Sequence, residues 1–242
     1  MSSIQILIIS LKESKDRQEK VKAEMAKTKL SWNFLEAING EKLDFTVVPY
    51  YPKKVKKLLG YELTPKELGC YLSHMKAWSL CIENKMPTLI FEDDFVIGQN
   101  FEKILESFLN KSQEWDIVRL QALCESQDYI IKDFGSFKIV GNFGDPLGAT
   151  AYLINPKSAK NLLNHSSEIY EPLDHFLEHE KKHGLSIIAI KPYPITVADP
   201  TRSTSTISDR PERLPIRGIN KFFRSFYRFL DRLQSPNPYF PK

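Results

Sequence analysis

The segment PTLIFEDDFVIG, residues 87–98, places three consecutive carboxylates between two apolar runs. The segment formed by residues 88–91 is short, mostly apolar and preceded by a proline, which is typical of a buried β-strand. In an open parallel sheet, ligands bind just beyond the carboxyl ends of the strands. The segment therefore predicts a core strand that delivers Glu92, Asp93 and Asp94 to a ligand crevice.

The chemistry of these carboxylates points to a divalent cation. If the chain stays extended, side chains alternate, so Glu92 and Asp94 face one side and Asp93 faces the other. Two oxygen ligands on one side suit Mg²⁺ or Mn²⁺. Without a cation, adjacent carboxylates beside apolar walls would repel one another and raise each other's pKa values. The alternative is a solvated turn that carries ordinary surface acids.

Strands and helices alternate along most of the chain. Apolar runs at residues 4–9, 115–120 and 185–190 predict further buried strands. Residues 129–140 predict a hairpin that turns at Gly135 and Ser136. This order predicts an α/β fold with a mainly parallel sheet flanked by helices.

The segment LTPKELGCYLSHMKAWSLCIEN, residues 63–84, predicts a long helix. Thr64 and Glu67 have the spacing of a capping box, with a proline at the first helical position. Gly69 inside the helix costs about 1 kcal/mol relative to alanine, which predicts that another element packs closely against it. His74 lies off the main apolar stripe and is either a packed or surface residue or part of a site.

Composition limits the class of protein. The 242 residues, 42% of them hydrophobic, can build one sizeable core with a small appendage. The three scattered cysteines form no CxxC pair, which favours a reducing compartment. The start of the chain lacks the features of a signal peptide, and no apolar run approaches the roughly 20 residues of a membrane span. These features predict a cytoplasmic protein.

The charge is concentrated near the C-terminus. Residues 210–234 carry seven basic and two acidic side chains, a net +5 within a total of +4, so the remaining chain is −1. The chain outside residues 210–234 therefore lacks the excess of basic residues that is typical of nucleic-acid-binding proteins. Residues 211–242 instead predict a basic amphipathic helix, rich in phenylalanine, on an anionic membrane. The alternative is a terminal helix that docks on the body or on another subunit.

A helix predicted at residues 171–184 contains two further candidates. His179, Glu180 and His183 match the HExxH pattern of zinc hydrolases. Against zinc, Gly184 ends the helix immediately after the motif, and both intervening residues are lysines. Asp174 in the first turn is either a general base presented at a helix start or an ordinary first-turn acid.

Several segments taken together resemble glycosyltransferase family 25. They run in the family's order: ISLKESKDRQEKV, AINGEKLD, LTPKELGCYLSHMKAW, TLIFEDDFVI, DIVRLQ, GATAYLINPKSAKNLL and PLDHFLE. The resemblance implies a GT-A fold over residues 1–210, with residues 211–242 as an appended tail. It also implies inverting transfer of a sugar, galactose from UDP-galactose, to a lipooligosaccharide or lipopolysaccharide acceptor.

The resemblance also implies roles for individual residues. Asp94 would bind Mn²⁺ or Mg²⁺ with help from Glu92. Inverting transfer also needs a base for the acceptor hydroxyl, and the candidate for it is Asp174, with His175 behind it. Ser10, Leu11 and Arg17 would border the nucleotide, and Glu67 and His74 would line the donor side, with His74 counted as catalytic. Separately from the resemblance, we count Asp93 as substrate-binding and expect Arg202 or Arg210 to steady the diphosphate.

The implied acceptor is carried on a lipid, and the basic tail would hold the enzyme on the cytoplasmic face of the membrane. Two other functions stay open at this point. One is a zinc hydrolase that uses His179, Glu180 and His183. The other is a saccharide-binding protein of the same fold that catalyses no reaction.

Overall fold

The computed structural model describes residues 4–111 and 114–198. The strands, in chain order, are β1 (Gln5–Ser10), β2 (Asn33–Glu36), β3 (Thr88–Glu92), β4 (Phe95–Ile97), β5 (Ile117–Arg119), β6 (Asp128–Asp133), β7 (Lys138–Asn142), β8 (Ala151–Ile154), β9 (Ile187–Lys191) and β10 (Ile195–Val197). The helices are α1 (Lys15–Met25), α2 (Pro52–Leu59), α3 (Pro65–Glu83), α4 (Phe101–Lys111), α5 (Pro156–His165), α6 (Leu173–Glu178) and α7 (Glu180–His183), and Gly40–Lys42 forms a single 3-10 turn.

Eight of these strands form one mixed sheet in the order β2-β1-β3-β8-β5-β9-β7-β6, and β4 pairs with β10 in a small second sheet. β1 runs parallel to β2 and β3, while β8 runs antiparallel to both β3 and β5. β9 is parallel to β5, and the β7–β6 hairpin follows in antiparallel pairings. Six strands therefore point one way and only β7 and β8 point the other way, which confirms the predicted α/β class.

Alternating side chains of the central strands pack into two apolar cores, one on each face of the sheet. In β1, Leu7 and Ile9 join a core with α2, α3, α5 and α6, whereas Ile6 and Ile8 join a second core with α1 and α4. Successive residues of a strand point to opposite faces, so a strand with a core on each face must be apolar throughout. This explains the continuous apolar runs of the sequence.

The predicted site residues lie at the sheet edge where β1 and β3 end. Ile9 is paired with Glu92 in the β1–β3 register, so Ser10 and the carboxylates that follow β3 emerge side by side. Because β8 is antiparallel, the residue before it, Thr150, reaches the same edge, and its carbonyl accepts a hydrogen bond from the Glu92 N–H at 2.9 Å.

α3 packs unusually close to the chain that follows β2. A Cβ at position 69 would lie 2.6 Å from the backbone nitrogen of Gly40 and from the backbone oxygen of Ile38. Thr64 and Glu67 form the predicted capping box at the start of the helix. The expectation of a close approach at Gly69 is confirmed, and it brings α3 up to the functional edge of the sheet.

The β6–β7 hairpin turns at Gly135 and Ser136 as predicted, with Gly135 at φ +79°. The prediction of a single helix over residues 171–184 is wrong. The chain breaks at His179, whose φ of −78° and ψ of 56° lie outside the helical region, so α6 and α7 are separate.

No helix in the described ranges combines the length and the apolar character needed to cross a membrane. Arg202, Arg210 and the predicted amphipathic tail, residues 211–242, lie outside the described residues.

Candidate active site

A cavity of about 730 Å³ opens at the carboxyl ends of β1 and β3. It brings together all the predicted site residues that the structure describes: Ser10, Leu11, Arg17, Glu67, His74, Glu92, Asp93, Asp94, Asp174 and His175. They come from the end of β1 through the first turn of α1, from α3, from the end of β3 with the turn after it, and from the start of α6. Residues from four separate chain segments therefore line a single pocket once the sheet is assembled.

The three carboxylates do not alternate as predicted. β3 ends at Glu92, and the chain turns at Asp93 and Asp94 before it enters β4. All three line the same cavity, so the expectation that Asp93 faces away from the other two is wrong. The reason is local, since alternation holds only while the backbone stays extended.

Both carboxylate oxygens of Asp93 are used in contacts within the site. Its Oδ1 accepts a hydrogen bond from Arg17 Nη1 at 2.7 Å, and its Oδ2 accepts one from Ser10 Oγ at 2.7 Å. Burial works to lower the pKa of Arg17, but Asp93 and the neighbouring carboxylates outweigh it and raise the pKa. Asp93 thus has a permanent countercharge and ties the β1–α1 connection to the end of β3.

Glu92 is partly exposed and receives contacts from three partners. Cys70 Sγ donates to its Oε1 at 3.3 Å, Thr150 Oγ1 donates to its Oε2 at 3.1 Å, and His74 Nε2 lies 3.6 Å from Oε1. Burial alone would raise the pKa of Glu92, but His74, followed by Cys70 and Thr150, reverses the shift and lowers the pKa. Glu92 therefore stays ionised inside the pocket.

Asp94 has a different environment. Its Oδ1 is buried and has no hydrogen-bond partner among the described residues. Burial and the charge of Glu92 raise the pKa of Asp94 to about 7, against the attraction of Arg17. A buried carboxylate oxygen without a donor is costly, so this oxygen is set up to accept a cation or a ligand donor.

His74 is held from behind by a buried polar pair. Its Nδ1 lies 2.8 Å from the hydroxyl of Tyr152, which also accepts a hydrogen bond from Trp78 Nε1 at 2.8 Å. The imidazole and the Tyr152 ring stack with 5.7 Å between centroids. These contacts fix the ring so that Nε2 faces Glu92.

Asp174 and Glu67 lie on the helices that border the pocket. Asp174 is half-buried at the start of α6, and its Oδ1 accepts the N–H of His175 at 3.0 Å. Glu67 Oε2 accepts the N–H of Thr64 at 2.8 Å, so this carboxylate also caps α3. Asp174 is therefore the acid on the α6 side of the cavity.

The residues that brace the cavity wall were missed in the sequence. Arg119 Nη1 donates to the carbonyls of Leu147 and Gly148 at 2.7 and 2.8 Å, and Arg119 Nη2 pairs with buried Glu178. Burial raises the pKa of Glu178 to about 7, although Arg119 opposes the shift. Thr150, which follows this braced loop, was missed for the same reason: no local pattern marks a residue whose partners are distant in the chain.

The zinc-hydrolase hypothesis fails on geometry. His179 Nδ1 lies 3.0 Å from Glu171, and the Glu180 carboxylate accepts the N–H of Ile187. Both ring nitrogens of His183 are used, with Nε2 donating to the Leu177 carbonyl and Nδ1 accepting from the Leu185 N–H. The broken helix directs the motif into structural contacts, and it forms no metal centre within the described ranges.

Comparison with known proteins identifies the family. The family model described as "Glycosyltransferase family 25 (LPS biosynthesis protein)" matches residues 3–177, well over half of the chain. The chain therefore belongs to glycosyltransferase family 25.

Three relatives illustrate the range of the family. The lipooligosaccharide biosynthesis protein lic2B of Haemophilus influenzae is 28% identical over 169 residues, which cover 65% of this chain and 62% of lic2B. Procollagen galactosyltransferase 1-A of Xenopus laevis is 25% identical, and the match covers 73% of this chain and 31% of that protein. The inactive glycosyltransferase 25 family member 3 of Homo sapiens is 28% identical, with 48% and 21% covered. Each match spans less than two thirds of the relative's length.

His183 gives the fold a specific pH dependence. Burial lowers its pKa from 6.5 to about 4. As the pH falls, the unfolded chain takes up the His183 proton before the folded chain does. The stability that comes from keeping His183 neutral and buried is therefore complete above about pH 6.5 and is lost as the pH falls toward 4. The loss is on the order of 3 kcal/mol.

We expect His183→Gln to flatten the dependence of unfolding free energy on pH between pH 6.5 and pH 4. Urea denaturation at a series of pH values measures this slope, which is independent of any constant loss caused by the substitution. An unchanged slope in the variant would contradict the assignment.

Proposed function

We propose that this protein is a metal-dependent, inverting glycosyltransferase that moves galactose from UDP-galactose to a lipooligosaccharide or lipopolysaccharide acceptor. Family membership supports sugar transfer. The names of lic2B and of procollagen galactosyltransferase 1-A support lipooligosaccharide and galactose, respectively. The cavity described above supplies the residues for each part of the reaction.

One observation carries the proposal: the buried Oδ1 of Asp94 lacks a hydrogen-bond partner among the described residues and lies beside ionised Glu92. Hard oxygen ligands of this kind fit Mg²⁺ or Mn²⁺, which use one or two carboxylates together with substrate phosphates. Asp94 and Glu92 would hold the ion. When bound, it neutralises the negative charge that develops on the departing diphosphate.

The β1–α1 connection is the proposed wall for the nucleotide. Ser10, Leu11 and Arg17 border the cavity next to the carboxylates. Asp93 holds Ser10 and Arg17 in place through its two hydrogen bonds, so in our proposal it acts by positioning the donor contacts. Arg202 or Arg210 would supply further positive charge to the diphosphate.

An inverting displacement needs a base that takes the proton of the acceptor hydroxyl on the face opposite the leaving group. We assign this role to Asp174, which enters the cavity from α6 with His175 beside it. Asp174 comes from a different wall of the cavity than the Glu92–Asp94 turn, as the two roles require. His74 positions Glu92 through its fixed Nε2, and Glu67 lines the donor side.

We expect Asp94→Asn to lower transfer by about 10²-fold or more, since the neutral amide would hold the proposed cation less tightly, and the cation supplies the charge that stabilises the leaving group. The measurement is release of UDP from UDP-galactose with Mn²⁺ and a lipooligosaccharide acceptor, compared with a panel of other nucleotide sugars. Asp133→Asn, on the exposed β6–β7 hairpin, is the matched control and keeps wild-type activity.

Full activity of Asp94→Asn would end the metal assignment. If the folded wild-type protein turns over no donor of the panel, the transfer proposal is wrong and the non-catalytic alternative is favoured. That alternative has support from relatives that are named inactive.

We expect Asp174→Asn to reduce the turnover number by about 10²- to 10⁴-fold, the usual contribution of a general base. The affinity for UDP, measured by calorimetry, stays within a factor of about 2, because the base acts on the acceptor hydroxyl. Glu168→Gln, an exposed acid near α6, serves as the control. Equal losses in UDP affinity and turnover would instead make Asp174 a donor-binding residue.

We further propose that residues 211–242 hold the enzyme on the cytoplasmic face of an anionic membrane. The seven basic side chains of residues 210–234 support this, at about 1 kcal/mol for each basic residue near the surface. We expect the full chain to sediment with phosphatidylglycerol-containing vesicles and not with phosphatidylcholine vesicles. Residues 1–210 alone should lose this binding, and equal binding by both chains would contradict the proposal.

A further inference from the structure

Cys70, His74 and Glu92 bring sulfur, nitrogen and oxygen together on the wall of the cavity. Cys70 and His74 are one turn apart on α3, and Glu92 ends β3 directly opposite. The three ligand atoms all lie within 4.8 Å of one another. The proposed sugar transfer uses Glu92 and the position of His74, but it gives the Cys70 thiol no role.

The spacing of these atoms fits a small tetrahedral metal ion. Zinc binds sulfur at about 2.3 Å and nitrogen or oxygen at about 2.0 to 2.2 Å, so neighbouring ligand atoms of a tetrahedral site are roughly 3.3 to 3.7 Å apart, with the pairs that include sulfur at the longer end. The Cys70 Sγ to Glu92 Oε1 distance is 3.3 Å, and the His74 Nε2 to Glu92 Oε1 distance is 3.6 Å. A small movement of the thiol toward His74 would complete the triangle.

A second observation independently points to a ligand. His74 is fully buried, and its Nε2 has no hydrogen-bond partner among the described residues. Metal-binding histidines commonly donate their other ring N–H to an oxygen, which fixes the ring. The Tyr152 hydroxyl, 2.8 Å from Nδ1, is placed to accept that hydrogen bond. With Zn²⁺ bound, the lone pair of Nε2 points at the ion, which lies between Nε2 and Glu92.

The types of donor atom select the metal. Thiolate and imidazole ligands favour Zn²⁺ over Mg²⁺ or Mn²⁺, which prefer oxygen. One thiolate and one carboxylate balance the charge of Zn²⁺, which reduces the penalty of placing the ion at a partly buried site. Burial and Glu92 raise the pKa of the Cys70 thiol, and a divalent cation opposes both effects.

We propose that Cys70, His74 and Glu92 form a Zn²⁺-binding site whose fourth position is open to the cavity. On binding, the S–H bond of Cys70 breaks, its proton passes to the buffer, and the sulfur electron pair forms the bond to zinc. Glu92 is shared with the proposed Mg²⁺ or Mn²⁺ position at Asp94, but the thiol and the imidazole belong only to this site.

Cobalt titration of the full chain tests the site without any measurement of transfer. We expect Co²⁺ to produce the near-ultraviolet charge-transfer band of a thiolate ligand, and Zn²⁺ but not excess Mg²⁺ to remove it. Cys70→Ser should lose the band and bind Zn²⁺ at least about 10-fold more weakly, the loss expected even for an outer contact. Cys124→Ser, at an exposed cysteine, is the matched control and keeps both properties.

Absence of the band in the wild-type protein, or its persistence in Cys70→Ser, would overturn the site. If Cys70→Ser fails to fold, the wild-type chain answers the question by alkylation and peptide mass spectrometry. Zinc must then protect Cys70 from the reagent and leave exposed Cys124 labelled, and equal labelling with and without zinc would contradict the site. None of these readouts depends on the proposed galactosyl transfer, so the two proposals can fail separately.

Discussion

The parallel pairing of β1 with β3 is the constraint on which the rest of the site depends. It aligns Ile9 with Glu92, so two strands end at one edge and their following residues meet there. A register slip of one residue would exchange the two faces of a strand. Both faces of β1 are packed into separate apolar cores, so the register is held by apolar packing on each side. The polar site is thus positioned by residues that take no part in its chemistry.

Three consecutive carboxylates at this edge experience three different environments. Asp93 is neutralised by Arg17, Glu92 is kept ionised by His74 and its hydrogen-bond donors, and Asp94 retains a buried oxygen without a donor. Like charges so close together oppose folding unless a cation or a ligand joins them. This arrangement favours binding over stability, as functional sites often do. It also explains how an acidic cluster can follow directly on a core strand.

The wall of the cavity depends on two supports that lie away from the carboxylates. The close contact of Gly69 with Gly40 lets α3 approach the sheet edge, which places Cys70 and His74 against Glu92. The buried Arg119–Glu178 pair holds the loop that leads to Thr150. Both supports connect elements that are distant in the chain, so the cavity forms only when the domain is assembled.

Local sequence patterns were enough to predict the α/β class, the capping box at Thr64, the close approach at Gly69 and the position of the acidic cluster at a strand end. These features follow from patterns that act over one to four residues, such as alternation, capping and helix periodicity. Which side chains meet in the cavity depends on how the strands and helices pack together. Cys70, Thr150 and Arg17 reach their carboxylate partners across 22, 58 and 76 residues of chain. This packing also decided that the chain breaks at His179, since the contact between His179 and Glu171 competes with the local preference for a continuous helix. Sheet register and packing set such distances, and no local pattern encodes them.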